Sequence, residues 1–121
     1  MAHPELVSSD IEAGRQFLRQ LDAAGVPTMG AYWLWYSEEE RWRLVIVSPD
    51  ATRGVRDLYG KAISIDPELD LTKVRFVPPA DSAFRALENV IDLRGEGEVR
   101  LSNNMLGGVY IEDALIYRLA A

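Results

Sequence analysis

The stretch Ala31-Tyr32-Trp33-Leu34-Trp35-Tyr36 is apolar at odd and even positions alike. Successive side chains of a strand point to opposite faces, so such a run is stable only where both faces are covered, inside a sheet. The next run, residues 41–47, alternates instead. Trp42, Leu44 and Ile46 share one face, and Arg41, Arg43, Val45 and Val47 the other. Glu38-Glu39-Glu40 between the runs keeps a turn in water, and the pattern predicts a hairpin of residues 31–37 with 41–47. Any fold of this chain has to bury one aromatic strand from two sides.

The flanking segments supply helices that can cover one face of the sheet or both, and a second copy of the chain is the other source of cover. Ser9-Asp10-Ile11-Glu12 reads as a capping box with Ser9 as N-cap, and Ile11, Phe17, Leu18 and Leu21 follow as a helical stripe. Gly25 and Pro27 stop it, which predicts a helix over 9–24. Ser48-Pro49-Asp50 starts a second helix carrying Val55, Leu58, Tyr59, Ala62 and Ile63, with Gly54 and Gly60 inside it. Residues 66–70 are a loop. Residues 73–77 form a short strand stopped by Pro78-Pro79. Asp81 or Ser82 opens a third helix with Phe84, Leu87, Val90 and Ile91, and Gly95-Glu96-Gly97 leads into a last pair of strands. The order is α-β-β-α-β-α-β-β. It predicts one α+β (or α/β) domain over 1–121, with residues 1–8 as a frayed lead-in and a mixed five-stranded sheet. Two β-α-β connections favour parallel neighbours there, and each hairpin adds an antiparallel strand.

The last pair carries the one conflict between local rules. Apolar runs 99–101 and 109–119 flank Ser102-Asn103-Asn104-Met105-Leu106-Gly107-Gly108, where Asn and Gly tolerate the positive φ of a chain reversal. The second run holds Glu112-Asp113 in its middle, and a carboxylate is unfavourable inside a buried strand. Neighbouring strand residues face opposite ways, so the two act together only across a bulge. Pairing Leu101 with Ile111 sets Arg100 against Glu112, and a one-residue slip sets it against Asp113. The plain reading is a cross-strand ion pair. The functional reading is a polar site of Asn103, Asn104, Arg100, Glu112 and Asp113 that takes a ligand or a hard cation.

Composition excludes more than it assigns. The chain has 121 residues, is 48% hydrophobic and 26% charged, and carries a formal net charge of -6 with no Cys. That is one globular domain's worth of chain without disulfides or thiol chemistry, consistent with a reducing cytoplasm. His3, Pro4 and Glu5 stand where a secretory leader would need a basic start and an apolar run. The single histidine, His3, lies in the expected frayed start, so histidine triads, the His-Glu-x-x-His zinc motif and Cys/His metal sites drop out. The acidic balance disfavours nucleic acid as a partner. A single-stranded nucleic-acid surface would need exposed Trp side chains with Arg41, Arg43, Arg75 and Arg100 on one face. Trp33, Trp35, Trp42, Tyr36 and Arg43 are better read as an interface, since aromatics and Arg are what interfaces enrich.

The ending Gly108-Val109-Tyr110-Ile111-Glu112-Asp113-Ala114-Leu115-Ile116-Tyr117-Arg118-Leu119 resembles the closing strand of a family of small bacterial proteins without an established activity. Residues 32–35 and 43–49 are similar to its early part, so the likeness covers most of the chain. It implies a bacterial, cytoplasmic, stand-alone domain and carries over no cofactor or catalytic residue. The helix after Pro49 and the loop before Lys73 are shorter than in that family. The resulting expectation is a non-catalytic binding or interaction domain without metal or cofactor, forming a homodimer through the aromatic strand. The alternative is a small carboxylate enzyme, with or without a divalent metal, built on Asp113, Glu112 and Asn104.

Overall fold

The structure is a computed structural model, which describes residues 3–94 and 97–120. Helix α1 (Ser8–Ala23) is followed by strands β1 (Gly30–Tyr36) and β2 (Arg41–Val47). Then come a 3-10 turn (Pro49–Arg53), helix α2 (Arg56–Ile65), a second 3-10 turn (Leu71–Lys73) and strand β3 (Val74–Val77). Helix α3 (Ser82–Glu88) and strands β4 (Val99–Leu106) and β5 (Val109–Leu119) complete the chain. The five strands form one mixed sheet in the order β3-β2-β1-β5-β4.

The two-faced aromatic strand β1 takes the centre, as its composition demands. On one face Trp33, Trp35, Trp42, Leu44, Ile46 and Tyr117 pack with Phe17, Leu18 and Leu21 of α1 and Leu58 and Ala62 of α2. On the other, Tyr32, Leu34, Val45, Val47 and Ile116 pack with Phe84 and Leu87 of α3. The alternation read in β2 therefore holds residue by residue. Gly14 lets α1 approach closely: a Cβ there would lie 2.7 Å from both the Trp33 Nε1 and the Tyr117 hydroxyl.

Local expectations shift in four places. The N-cap of α1 is Val7, and no side chain caps it, so the capping box at Ser9 does not form. Ser48 does cap, its Oγ accepting from the Asp50 N–H, but the chain breaks at Gly54 (φ 115°) and α2 starts afresh at Arg56. Asp81 caps α3, which ends at Glu88 and leaves Val90 exposed. The second crossover does not join parallel neighbours. β2 and β3 pair in parallel, but α3 carries the chain from the β3 edge to the opposite edge at β4. The reason is that β1 already has β2 on one side and takes β5 on the other, so β4 pairs outside β5. Gly95 and Glu96, read as the lead into the last hairpin, lie outside the described residues.

Candidate functional site

The final hairpin turns on Gly107 (φ 53°) and Gly108 (φ 82°) alone, a two-residue reversal with both φ values positive. Residues 102–106, expected as linker, are strand. The register pairs Leu101 with Ala114 and Ser102 with Asp113, three residues away from the expected pairing of Leu101 with Ile111. The ladder then skips one position, where Asn103 (φ 52°) stands opposite Glu112, and resumes at Asn104 and Ile111. Both strands break their alternation at that point. Ile111 and Ala114 belong to the core on the α3 side, and Glu112 and Asp113 between them turn together to the α1 side. An irregularity in each strand keeps the register and still puts two adjacent carboxylates on one face.

What they meet is His3. Its Nδ1 lies 3.0 Å from Glu112 Oε2 and its Nε2 lies 2.9 Å from Asp113 Oδ2. The imidazole stacks on Trp35 with ring centroids 4.4 Å apart and 15° between planes. It meets Trp42 edge-on at 5.5 Å. The Trp42 Nε1–H donates to the Pro4 carbonyl at 2.9 Å, and Leu6 is buried in the core. Residues 3–6 are thus a docked strap across β1, β2 and β5, where a frayed start was expected. Trp35 and Trp42 offer a stacking surface and a donor to whatever chain lies on them.

Asp113 is the centre of the cluster and is 7% exposed. Arg100 donates to it twice, Nε to Oδ1 and Nη2 to Oδ2, each at 2.7 Å. The Ser102 hydroxyl donates to Oδ1 at 3.1 Å. With His3 that makes four hydrogen bonds on one carboxylate, which saturates its acceptor capacity. Burial pushes the Asp113 carboxyl up, but the hydrogen bonds from Arg100 and His3, the Arg100 charge and Ser102 together outweigh it and hold it below the ordinary carboxylate value. The same bond and charge hold Arg100 above its ordinary value against desolvation. The Arg100 guanidinium also lies 5.6 Å from the Trp42 ring centroid.

Of the expected polar site, Arg100, Asn103, Glu112 and Asp113 share this face, and Asn103 accepts from the Tyr110 hydroxyl at 2.8 Å. Asn104 does not join them. It pairs with Ile111 toward the α3 side, and its amide donates to the Ser102 carbonyl. Sequence reasoning missed His3 and Ser102. The signal for His3 was its being the sole histidine; nothing in sequence linked it to residues 109 and 110 positions away. Among the described residues no group of three or more His, Asp or Glu is placed to hold a metal ion.

The expected interface residues divide between the two faces. Trp33, Trp35 and Trp42 are buried within the chain under α1 and the strap, so the aromatic strand is not a free surface. The reason is that residues 3–6 and α1 together cover what the sequence left unassigned. Tyr36 and Arg43 lie on the α3 side, where Arg75 donates to the Tyr36 hydroxyl at 3.1 Å and Arg43 pairs with Glu39 at 2.6 Å. Arg100 sits on the opposite face from Arg41, Arg43 and Arg75, and all three Trp are buried. The single-stranded nucleic-acid surface therefore has neither of the features it needs.

A cleft of about 720 Å³ opens between α1 and the second 3-10 turn, with Trp33, Leu44, Leu69 and Val74 among its lining, together with Lys73 and Asp10, which lie 3.4 Å apart. No helix among the described residues is long and apolar enough to cross a membrane. No family model matches the chain, and neither a curated protein nor a solved structure matches it.

Proposed function

We propose that the chain is a non-catalytic interaction domain that pairs with a second copy of itself through the β4 edge. The observation that carries this reading is the edge. β4 has eight residues and among the described residues pairs with β5 alone, whereas the other edge strand, β3, has four and runs into Pro78-Pro79. An edge of this length is kept unpaired by charges, prolines or bulges; β4 has neither Pro nor acidic residue, its one charge, Arg100, is held by Asp113, and its one irregularity, the kink at Asn103 (φ 52°), leaves the segments on either side extended. The acidic repulsion between copies is thus absent along this strand. On the α3 side, Val99, Leu101, Leu106 and Val109 form an apolar row that is only half-buried, because α3 packs against β5. Met105 and Tyr110, paired across the hairpin tip, are 66% and 53% exposed. A two-fold antiparallel β4–β4 contact satisfies both strand edges and extends the apolar row across the pair.

The carboxylate-enzyme reading has no comparable support. Asp113 is saturated by partners within the chain, and Asn104 faces away. The test is molar mass in solution by light scattering over a range of concentrations, for wild type and for Asn104→Lys/Met105→Lys. The expected result is a wild-type dimer that the lysines dissociate into folded monomers. A wild-type monomer at every concentration overturns the reading.

A further inference from the structure

His3 is bound the way a ligand is bound. Its ring is held by geometry suited to a flat group: Trp35 lies under it at 15°, and Trp42 closes one side at 75°. Its two nitrogens point to two different carboxylates, Glu112 and Asp113. Ionised carboxylates only accept, so both contacts are hydrogen bonds only when both ring nitrogens donate, which is the imidazolium form. The charged groups facing the ring are Glu112 and Asp113 of β5. Behind them Arg100 of β4 is paired with Asp113, and Glu5 of the strap acts on Arg100. Carboxylates outnumber the guanidinium, and the Trp35 face under the ring favours a cation. A point-like ammonium would not fill the stack on Trp35 and reach both acceptors in its plane. A planar N–C–N cation does.

We propose that Trp35, Trp42, Glu112 and Asp113 form a binding site for a planar cation, imidazolium or guanidinium, on a basic segment of another molecule, and that His3 fills this site in cis. The strap is then a self-ligand that a competing cation displaces. This inference stands apart from the β4 edge, because a monomer and a dimer present the same site.

The test removes the self-ligand and supplies it back. His3→Ala is titrated with imidazolium chloride, with sodium chloride as the ionic control, at roughly pH 5.5 and roughly pH 8.5. Tryptophan fluorescence and thermal unfolding are followed. At the lower pH the expected result is saturable quenching and a raised Tm in His3→Ala, with the response of wild type shifted to much higher concentration because the cation has to displace the strap. At the higher pH half-saturation needs about tenfold more imidazole or beyond, because most of it is neutral. Glu112→Gln on the His3→Ala background weakens the response. His3→Gln serves in the same titration if the alanine variant does not fold. A response equal in wild type and variant, a response without pH dependence, or no response in the folded variants overturns the proposal.

Discussion

Asp113 shows how much one residue holds together. Four hydrogen bonds converge on it from β4 and from the strap. Asp113→Asn keeps the shape, weakens the Arg100 pair and removes an acceptor from His3. Urea unfolding at neutral pH is expected to show a loss of about 2 kcal/mol, less than for a fully buried pair because Arg100 is half-exposed. The pH dependence follows from the sign of the shift. The folded-state value lies below the ordinary 3.8, so the stabilisation is complete above that value and fades as pH falls through the folded-state one. The gap between wild type and Asp113→Asn should therefore close in acid, and a gap that persists there would contradict the assignment. Gly14 tests packing at the same scale. Gly14→Ala improves helix propensity by about 1 kcal/mol. Its Cβ would nonetheless meet Trp33 and Tyr117 at 2.7 Å, and a net destabilisation of about 1–3 kcal/mol is expected by thermal unfolding. The composition of α1 alone says the opposite, because a near approach between distant residues leaves no local trace.

At the scale of elements, the periodic segments were legible and the irregular ones were not. The strands expected over 31–37 and 41–47 lie there to within a residue, because side-chain pattern and burial ask for the same structure there. The Ser102–Gly108 stretch misled. Its Asn residues belong to strand β4, one of them with φ 52° at the kink opposite Glu112, and the reversal needs only the two glycines. The kink is what turns Glu112 and Asp113 to one face. Asn103→Val tests it, since a β-branched residue is disfavoured at positive φ by about 1–2 kcal/mol. Regaining strict alternation would also swing Glu112 away from His3. Chemical denaturation should report the loss, and NMR should show the Trp35 and Trp42 indole resonances shifting. Unchanged indole resonances would mean that the kink does not set the site.

For the whole molecule, burial of the aromatic strand changes what a mutation there measures. Trp35 is 8% exposed, packed between the core and His3. Trp35→Glu is expected to unfold the chain or to lower its stability by about 4 kcal/mol or more, through a lost aromatic and a buried charge. Circular dichroism checks this, and a folded Trp35→Glu monomer would show that the strap side is open to solvent. The β4 lysines, by contrast, replace exposed Met105 and half-buried Asn104, whose amide bond to the Ser102 carbonyl is lost, and are expected to lower the Tm of the isolated fold by no more than a few degrees. The two substitutions together separate the core of the domain from its proposed contact surface.

Composition and periodicity by themselves determined a single mixed sheet with α1, α2 and α3 around it, and a central strand apolar on both faces. They did so because hydrophobic alternation is a local property, written within each segment. Pairing across the sheet was decided only by the tertiary structure. It alone carried α3 from one edge to the other, set Leu101 against Ala114, and folded residues 3–6 back onto Trp42. A site made by residue 3 and residues 112 and 113 exists only once the whole sheet has closed between them. The physical reason is that register and strap docking are chosen by the free energy of burying whole faces at once, which no window of sequence contains.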